Sequence, residues 1–223
     1  MSMIRQFRDL GIYLISVFFA MAGVYIVVSF AFIYGDQVVQ WDESVRVLMF
    51  IVVQITAAIG AYAFGFIQDK IGAKLTYNIT LLLWFFGVLG IWAVTDLTEW
   101  INLTFQTSFE AQYVFLYIGV IAGISLGSSQ SASRALVGIF TPEEKSAEFF
   151  GFWGLSNKIA GVFGIIGIGL LQAQFGLHQS VLFCAALFLI AVVICLFVNE
   201  KRGERAADRF EEDPAEPHHS DTY

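Results

Sequence analysis

Apolar residues form six long runs along the chain, separated by short polar segments. At about 1.5 Å of rise per residue, most runs could cross a hydrocarbon core of about 30 Å as a helix, and the last is marginal. Backbone polar groups in lipid must be hydrogen-bonded within their own segment, so helices are predicted rather than strands. The pattern therefore predicts an all-α membrane protein with six transmembrane helices. The runs cover residues 11–34, 47–67, 75–95, 113–133, 149–171 and 181–198.

The polar ends divide the chain into three predicted parts. Residues 1–10 form a short N-terminal segment, residues 11–198 form the six-helix bundle, and residues 199–223 form a tail. Arg5 and Arg8 precede the first run, as in a signal peptide, but this run is too long for the apolar region of such a peptide and no small-residue cleavage site follows it. We therefore interpret it as a membrane span.

Basic residues lie on alternate connections between the runs. Because cytoplasmic loops carry an excess of Lys and Arg, both termini are predicted to lie in the cytoplasm. Arg46 is the only basic residue predicted on the other side. Lys158 lies within the fifth run. The other basic residues are predicted on the cytoplasmic side: Arg5, Arg8, Lys70, Lys74, Arg134, Lys145, Lys201, Arg202, Arg205 and Arg209.

Composition agrees with a bilayer, since 57% of the residues are apolar and only 14% are charged. The net charge of −7 comes largely from the tail, because eight of the 19 acidic residues lie from Glu200 onward. Such a stretch is predicted to be disordered. His218 and His219 could bind a metal there, but two adjacent histidines make a weak site, and no metal or other cofactor is predicted.

A short pattern occurs twice, 104 residues apart. Residues 65–74 read GFIQDKIGAK and residues 169–178 read GLLQAQFGLH. Glycine, an apolar pair, Gln and a second glycine stay in register, whereas the charges of the first copy are absent from the second. This asymmetry is typical of an inverted repeat, in which only one copy faces the cytoplasm. The chain is therefore predicted to be a 3+3 inverted repeat, an arrangement found chiefly in transporters.

Polar side chains inside the runs are the candidates for a solute cavity. Lys158 lies within the fifth run next to Asn157, where a charged group is costly unless it faces a cavity or a partner. Its flexible stem could instead carry the ammonium back to the headgroups. Gln130 in the fourth run could bind a solute or bond to a neighbouring helix. We expect Gln130, Asn157 and Lys158 to line the cavity.

Three glycines at intervals of four residues follow one face of the fourth run. The spacing of Gly119, Gly123 and Gly127 lets two helix backbones approach closely. Helix packing is the better interpretation of these glycines than solute contact. Arg134 lies near the cytoplasmic edge of the same run, where an ion pair for gating or structure is expected.

Motifs of enzymes and nucleic-acid-binding proteins are absent from the sequence. There is no HExxH pattern, no P-loop and no pair of histidines within a run, and the carboxylates cluster in loops or in the tail. Basic residues flank the membrane without forming a separate patch. The chain is predicted to be neither an enzyme nor a nucleic-acid-binding protein.

The loop between the second and third runs resembles the signature loop of the major facilitator superfamily. It reads Gly65-x-x-x-Asp69-Lys70-x-Gly72-x-Lys74. The resemblance implies a cytoplasmic gate in which the aspartate accepts hydrogen bonds from a neighbouring helix N-terminus and pairs with a basic residue.

A second set of residues resembles the vacuole effluxer family, which contains autophagy-related vacuolar amino-acid exporters and their bacterial relatives. The set comprises residues 127–134, Pro142, residues 147–153 and residues 156–158, with Glu148-Phe-Phe-Gly-Phe as its most specific part. Ser128 and Trp153 depart from the usual residues. Glu148 joins Arg134 and the three glycines as a residue of helix packing or gating.

The resemblance covers the C-terminal six-helix half of a twelve-helix transporter. It implies transport of small solutes such as amino acids by alternating access, together with a second six-helix half or in a homodimer. Two other readings remain open, namely a truncated product that does not transport and a membrane scaffold or assembly protein. The expected location is the bacterial inner membrane, or the vacuolar membrane in a eukaryote.

Overall fold

The structure, a computed structural model, describes residues 7–212, and within them it contains helices and no strands. A π-helical turn, Gly35–Val39, extends α1, and a short 3-10 helix, Glu143–Lys145, precedes α6. The α-helices are α1 (Arg8–Tyr34), α2 (Glu43–Ile71), α3 (Ala73–Trp92), α4 (Val94–Phe105), α5 (Ala111–Ile139), α6 (Ser146–Leu196) and α7 (Glu200–Glu212).

Five of these helices, α1, α2, α3, α5 and α6, are long and apolar enough to cross a membrane. α6 is 51 residues long and would span about 75 Å if it were straight, more than twice a hydrocarbon core. Its backbone leaves the helical region at Gly176, which divides it into a first arm (146–175) and a second arm (177–196). The arms correspond to the fifth and sixth predicted runs, and the count of six membrane crossings stays a prediction.

Two glycines end helices in the same way at equivalent positions of the repeat. Gly72, between α2 and α3, has φ 87° and ψ 158°, and Gly176 has φ 77° and ψ 165°. This backbone region is open essentially only to glycine. Four residues later, the Thr76 hydroxyl donates to Gly72 O at 2.8 Å and the Ser180 hydroxyl donates to Gly176 O at 2.7 Å. The sequence repeat is therefore also a repeat of local structure.

The two helices that follow these glycines pack antiparallel. Lys74, at the start of α3, donates from Nζ to Leu196 O at the end of the second arm of α6, at 3.0 Å. Midway, the Trp84 and Phe188 rings stack with centroids 5.4 Å apart and planes 3° apart. At the other end Trp92 stacks on His178 at 5.7 Å.

These contacts follow the 104-residue offset of the repeat. Trp84 and Phe188 are equivalent positions that touch each other, so an approximate two-fold axis passes beside them. Because the pair is antiparallel, the Gly72 turn and the Gly176 turn lie at opposite ends of the bundle. This is the inverted relation that the sequence repeat predicts.

The remaining long helices pair in the same symmetric manner. α2 packs along α5, and α1 packs along α6. Many of the large apolar side chains on the outer faces of these pairs are exposed, among them Ile55, Ile59, Val162 and Ile166. Such faces suit lipid or a further helical partner better than water.

Two segments differ from the sequence-based prediction. The third run was predicted to continue to residue 95, whereas α3 ends at Trp92 and a separate helix, α4, follows it. The prediction of a disordered tail over 199–223 is wrong for Glu200–Glu212, which form α7. α7 packs against the bundle through its buried Ala207 and through Phe210, whose ring centroid lies 5.8 Å from that of Phe7. The acidic composition of the segment does not indicate these apolar contacts. Residues 1–6 of the predicted N-terminal segment and 213–223 of the tail, including His218 and His219, lie outside the described residues.

Candidate functional site at the ends and in the middle of the helix bundle

The predicted gate motif surrounds the Gly72 turn. Its charged residues lie on both sides of this turn. Asp69 and Lys70 are exposed at the end of α2, whereas Lys74 is half-buried at the start of α3. Lys74 fixes the turn by donating to Leu196 O. Gly65 faces open space on α2, since a Cβ atom there would meet nothing within 4 Å.

Glu200 occupies the helix N-terminus beside this turn. Its Oε1 accepts from the Ala73 amide at 3.2 Å, and its Oε2 accepts from the Lys74 amide at 3.0 Å. A carboxylate at a helix N-terminus satisfies free amides and complements the helix dipole. Among the described residues, Asp69 has no hydrogen-bond or ion-pair partner. Within this chain Glu200, which sequence reasoning missed, therefore forms the contact with the N-terminus of α3.

A bidentate ion pair attaches α7 to the start of α1. Arg202 donates from Nε to Asp9 Oδ2 at 2.6 Å and from a terminal nitrogen to Asp9 Oδ1 at 2.8 Å. The Asn199 amide adds a third hydrogen bond to Asp9, at 2.8 Å. The hydrogen bonds to Asp9 and its charge raise the pKa of the Arg202 guanidinium above its ordinary value. Together with Glu200, this pair ties α1, α3 and α7 together at one end of the bundle.

The three predicted cavity residues lie in two different environments. Asn157 is buried, and its Oδ1 has no hydrogen-bond partner. Lys158 is exposed in a shallow groove with Tyr25 and Gly161. Gln130 is half-buried, and its Nε2 lies 3.5 Å from Met21 Sδ. Met21 and Tyr25 are one turn apart on α1, so Gln130 and Lys158 approach neighbouring turns of the same helix.

A separate cavity of about 150 Å³ lies between α1, α2, α3 and α5. Its walls are almost entirely apolar, with Gln54 as the polar exception among mostly aliphatic and aromatic residues. Gln54 is the equivalent of Lys158 in the repeat, 104 residues earlier. The repeat thus places a polar side chain beside a groove in each half. The walls include Val28, Phe32, Trp41, Met49, Phe50, Trp84 and Phe115.

Sequence reasoning missed a hydrogen-bond network between α1, α5 and α6. The buried Tyr13 hydroxyl lies 2.8 Å from Ser133 Oγ and donates to Ser133 O at 2.9 Å. Trp153 Nε1 donates to the same Ser133 Oγ at 3.0 Å. Arg134 lies over the Trp153 ring, 5.9 Å from its centroid, so its contact is a cation–π interaction. Tyr13 lies among apolar residues, and nothing in the sequence around it indicates a contact with Ser133, 120 positions away.

The predicted packing glycines do lie against a neighbouring helix. A Cβ atom at Gly119 would overlap Met49, one at Gly123 would overlap Thr56, and one at Gly127 would overlap the Ala57 carbonyl. All three contacts are with α2, as the small-residue spacing predicts. Glu148 pairs with Lys145 at 3.5 Å, near the start of α6.

Comparison with known proteins gives matches along almost the whole chain. The family described as Vacuole effluxer Atg22 like matches residues 1–208. Autophagy-related protein 22-1 of Aspergillus niger is 21% identical over 91% of this chain and 33% of its own length. The uncharacterized MFS-type transporter YxiO of Bacillus subtilis is 25% identical over 90% of this chain and 44% of its own length.

The shares of the relatives' own lengths show that the chain spans less than half of each of these proteins. Autophagy-related protein 22 of Candida glabrata gives a similar result, 22% identity over 90% of this chain and 37% of its own length. No solved structure matches the chain. With a family match that extends over residues 1–208, the chain belongs to the vacuole effluxer Atg22-like family.

Proposed function

We propose that the chain forms one six-helix half of a transporter that moves small solutes, amino acids in particular, across a membrane by alternating access. The observation that carries this proposal is the inverted repeat, in which Trp84 stacks on its equivalent Phe188 between two antiparallel helices. Inverted repeats of this kind underlie many secondary transporters, whose solute lies near the middle of the membrane. The family description and the name of the Bacillus relative, an MFS-type transporter, support the same class of function.

A second six-helix half, or a second copy of the chain, would complete the solute path. Lys158 is exposed between large apolar side chains that include Ile159 and Val162, both also exposed. A bare ammonium in such a position is costly in lipid, whereas it is stabilised beside a water-filled path or a polar partner. The chain therefore supplies one wall of the path, and the partner supplies the other.

Within that wall we assign solute contact to Gln130, Asn157 and Lys158. The buried Asn157 Oδ1 lacks a hydrogen-bond partner, and a buried acceptor is normally satisfied. A solute ammonium or hydroxyl, or a water that accompanies it, would satisfy it. Lys158 would attract a carboxylate, and the amide of Gln130 could bond to either end of an amino acid.

The Gly72 turn is assigned to the cytoplasmic gate. Asp69 and Lys70 are exposed and free to contact the second half, while Gly72, Lys74 and Glu200 fix the turn within this half. In this proposal both termini lie in the cytoplasm. Arg134 and Glu148, near the same end, are assigned to helix packing or gating. The protein would reside in a bacterial inner membrane or a vacuolar membrane.

Proteoliposomes test this assignment. The chain is purified alone and together with a co-expressed second half, and counterflow of a radiolabelled amino-acid mixture is measured. We expect counterflow from the complete assembly and a slower rate for Asp69→Asn, because the gate loses a charge. Lys158→Gln should reduce counterflow at low solute concentration more than at saturation, because it weakens binding.

The matched control is Glu204→Gln, which removes an exposed charge from α7, a helix outside the apolar runs. Insertion and oligomeric state of every variant are checked by light scattering corrected for detergent. Normal counterflow by Asp69→Asn would remove the gate assignment. Absence of counterflow from a stable, correctly inserted assembly, for every amino acid offered, would favour a scaffold or a product that does not transport.

A further inference from the structure

The short helix α4 follows α3 at the end of the bundle that contains Gly176. The 20 residues of α3 rise by about 30 Å, which is the thickness of a hydrocarbon core, so α4 begins where that core ends. Backbone hydrogen bonds continue across the junction, since the Ala93 amide donates to Leu89 O at 2.9 Å and the Leu97 amide donates to Ala93 O at 2.7 Å. α4 therefore starts at the boundary between hydrocarbon and water.

One stripe of α4 packs on the bundle, and an apolar stripe lies beside it. Val94 and Thr98 are buried, Ile101 packs against the core, and α4 contacts α3 and α5. At about 100° of rotation per residue, Leu97 and Trp100 lie roughly a quarter turn from this buried stripe, on one flank. Trp100 is 58% exposed, so a large apolar ring on this flank has no protein cover within the chain.

The other flank of α4 is polar. It carries Glu99 and Asn102, also about a quarter turn from the buried stripe. Asn102 Oδ1 accepts from the Phe109 amide at 2.8 Å, and Asn102 Nδ2 donates to Phe109 O at 2.9 Å. These bonds hold the exposed polar turn of residues 106–108 beside this flank. The two flanks of α4 thus suit two different surroundings.

The apolar flank continues an exposed apolar stripe of α3. Leu82 and Phe86 lie four residues apart on α3, and both are exposed, Phe86 by 62%. Leu97 and Trp100 follow Phe86 by 11 and 14 residues, which is close to about three and about four helical turns. A face of this kind on a membrane-spanning helix suits lipid. The lipid-facing surface of α3 therefore extends onto α4.

From this geometry we propose that α4 is an interfacial anchor that inserts Leu97 and Trp100 among the headgroups of a zwitterionic phospholipid leaflet. A helix that lies along a membrane surface needs an apolar side and a polar side, and tryptophan is enriched at the depth of the headgroups. Residues 93–112 contain three acidic residues, Asp96, Glu99 and Glu110, and no basic residue. Attraction to anionic lipids therefore does not hold α4, and burial of its apolar flank does.

Spin-label accessibility in phosphatidylcholine nanodiscs tests this anchor. Single labels are attached by Leu97→Cys and Trp100→Cys on the apolar flank, and by Glu99→Cys and Ser108→Cys as matched controls, because all four positions are exposed. The native cysteines are buried and should not react. The ratio of relaxation by oxygen to relaxation by a water-soluble nickel chelate should be at least about fivefold higher on the apolar flank than at the controls.

Three results of this experiment would overturn the anchor. Equal ratios at all four positions would show that α4 lies in water. Low accessibility of Leu97→Cys and Trp100→Cys to both reagents would show that a second half or a second copy of the chain covers this flank. A higher ratio after part of the lipid is replaced by phosphatidylglycerol would show that anionic headgroups hold α4. No solute is needed, so failure here is distinguishable from failure of transport.

Tryptophan fluorescence tests the same contact with the native side chain in place. The emission that is lost in Trp100→Phe is the contribution of Trp100, and brominated phosphatidylcholine should reduce this contribution at least about twofold. Acrylamide in the water should reduce it far less. Strong quenching by acrylamide without quenching by the brominated lipid would refute insertion of Trp100.

Discussion

Two helix pairs of the bundle are related by the repeat but are packed through different contacts. In the pair of α2 and α5, Gly60 faces the backbone of Ile124 and Gly127 faces that of Ala57. In the pair of α1 and the first arm of α6, Gly164 faces the backbone of Ala22, but Gly161 faces the ring of Tyr25. In these contacts two glycines of the first pair face a backbone, whereas in the second pair one glycine faces a backbone and the other faces a side chain that can rotate.

The repeat explains what the two pairs share. Gly60 and Gly164 are equivalent positions, and each lies against a carbonyl of its partner helix. Gly127 has its equivalent in Gly23, which lies against the Phe188 ring rather than a backbone. Gly60 and Gly164 therefore make the same kind of contact in the two pairs. Gly127 faces a backbone, whereas its equivalent Gly23 faces an aromatic ring. We expect the α1 and α6 pair to be the more adjustable of the two.

The largest effect should come from breaking the rigid pair. Gly127→Val places a branched side chain where the Ala57 carbonyl lies, so α2 and α5 must separate. We expect a loss of more than about 3 kcal/mol, at the upper end of overpacking effects. Gly138→Val, on the same helix but facing open space, should cost far less. Thermal unfolding in detergent measures both, and equal melting temperatures would contradict close packing at Gly127.

The next effect concerns the helix breaks that the two halves share. Gly72→Ala and Gly176→Ala each force a side chain into a backbone region that alanine avoids, at a cost of about 1–3 kcal/mol. Gly72→Ala should cost slightly more, because its Cβ would approach Glu200 at 3.3 Å while Gly176 faces open space. Gly169→Ala, in the helical first arm, is the control. If it lowers the melting temperature as much as the other two, the glycines do not define the turns.

A smaller effect should distinguish the adjustable pair. Gly161→Ala brings a methyl group to 3.0 Å from the Tyr25 ring, which can turn aside. We expect a loss below about 1.5 kcal/mol, as for tolerated core substitutions, and a greater loss for Gly123→Ala, which faces the Val53 carbonyl. Unfolding of the two variants under identical conditions provides the comparison. A greater loss for Gly161→Ala would reverse the ranking of the two pairs.

The smallest effect should appear at the cap of α3. Glu200→Gln removes the negative charge beside the Ala73 and Lys74 amides, at a cost of about 0.3–1 kcal/mol. Hydrogen exchange of peptides that contain these amides should therefore be about two to five times faster. Glu204→Gln on the exposed face of α7 should leave the exchange unchanged. Unchanged exchange in Glu200→Gln as well would show that the carboxylate does not stabilise the turn.

The features that the sequence predicted correctly depend on local patterns. Long apolar runs predict the five long helices, and the pattern that recurs at residues 65–74 and 169–178 predicts the inverted repeat. The spacing of Gly119, Gly123 and Gly127 predicts close helix packing because residues four apart share a face. In each case a few neighbouring residues carry the physical cause.

The features that sequence reasoning missed depend on distant contacts. Asp9 and Arg202 are 193 residues apart, and Tyr13 and Ser133 are 120 apart. The tail helix has too few apolar residues to be predicted from composition, yet its docking on Phe7 and Asp9 stabilises it. The cavity residues were predicted by depth along the helix, which does not show that Asn157 is buried while its neighbour Lys158 is exposed.

Cysteine labelling of two equivalent positions tests the inverted arrangement most directly. Lys70→Cys and Gln174→Cys are 104 residues apart and both exposed, while the native cysteines are buried. A membrane-impermeant maleimide is applied to right-side-out and to inverted vesicles. Lys70→Cys should react only in inverted vesicles and Gln174→Cys only in right-side-out vesicles. Reaction of both positions from the same side would contradict an inverted repeat across the membrane.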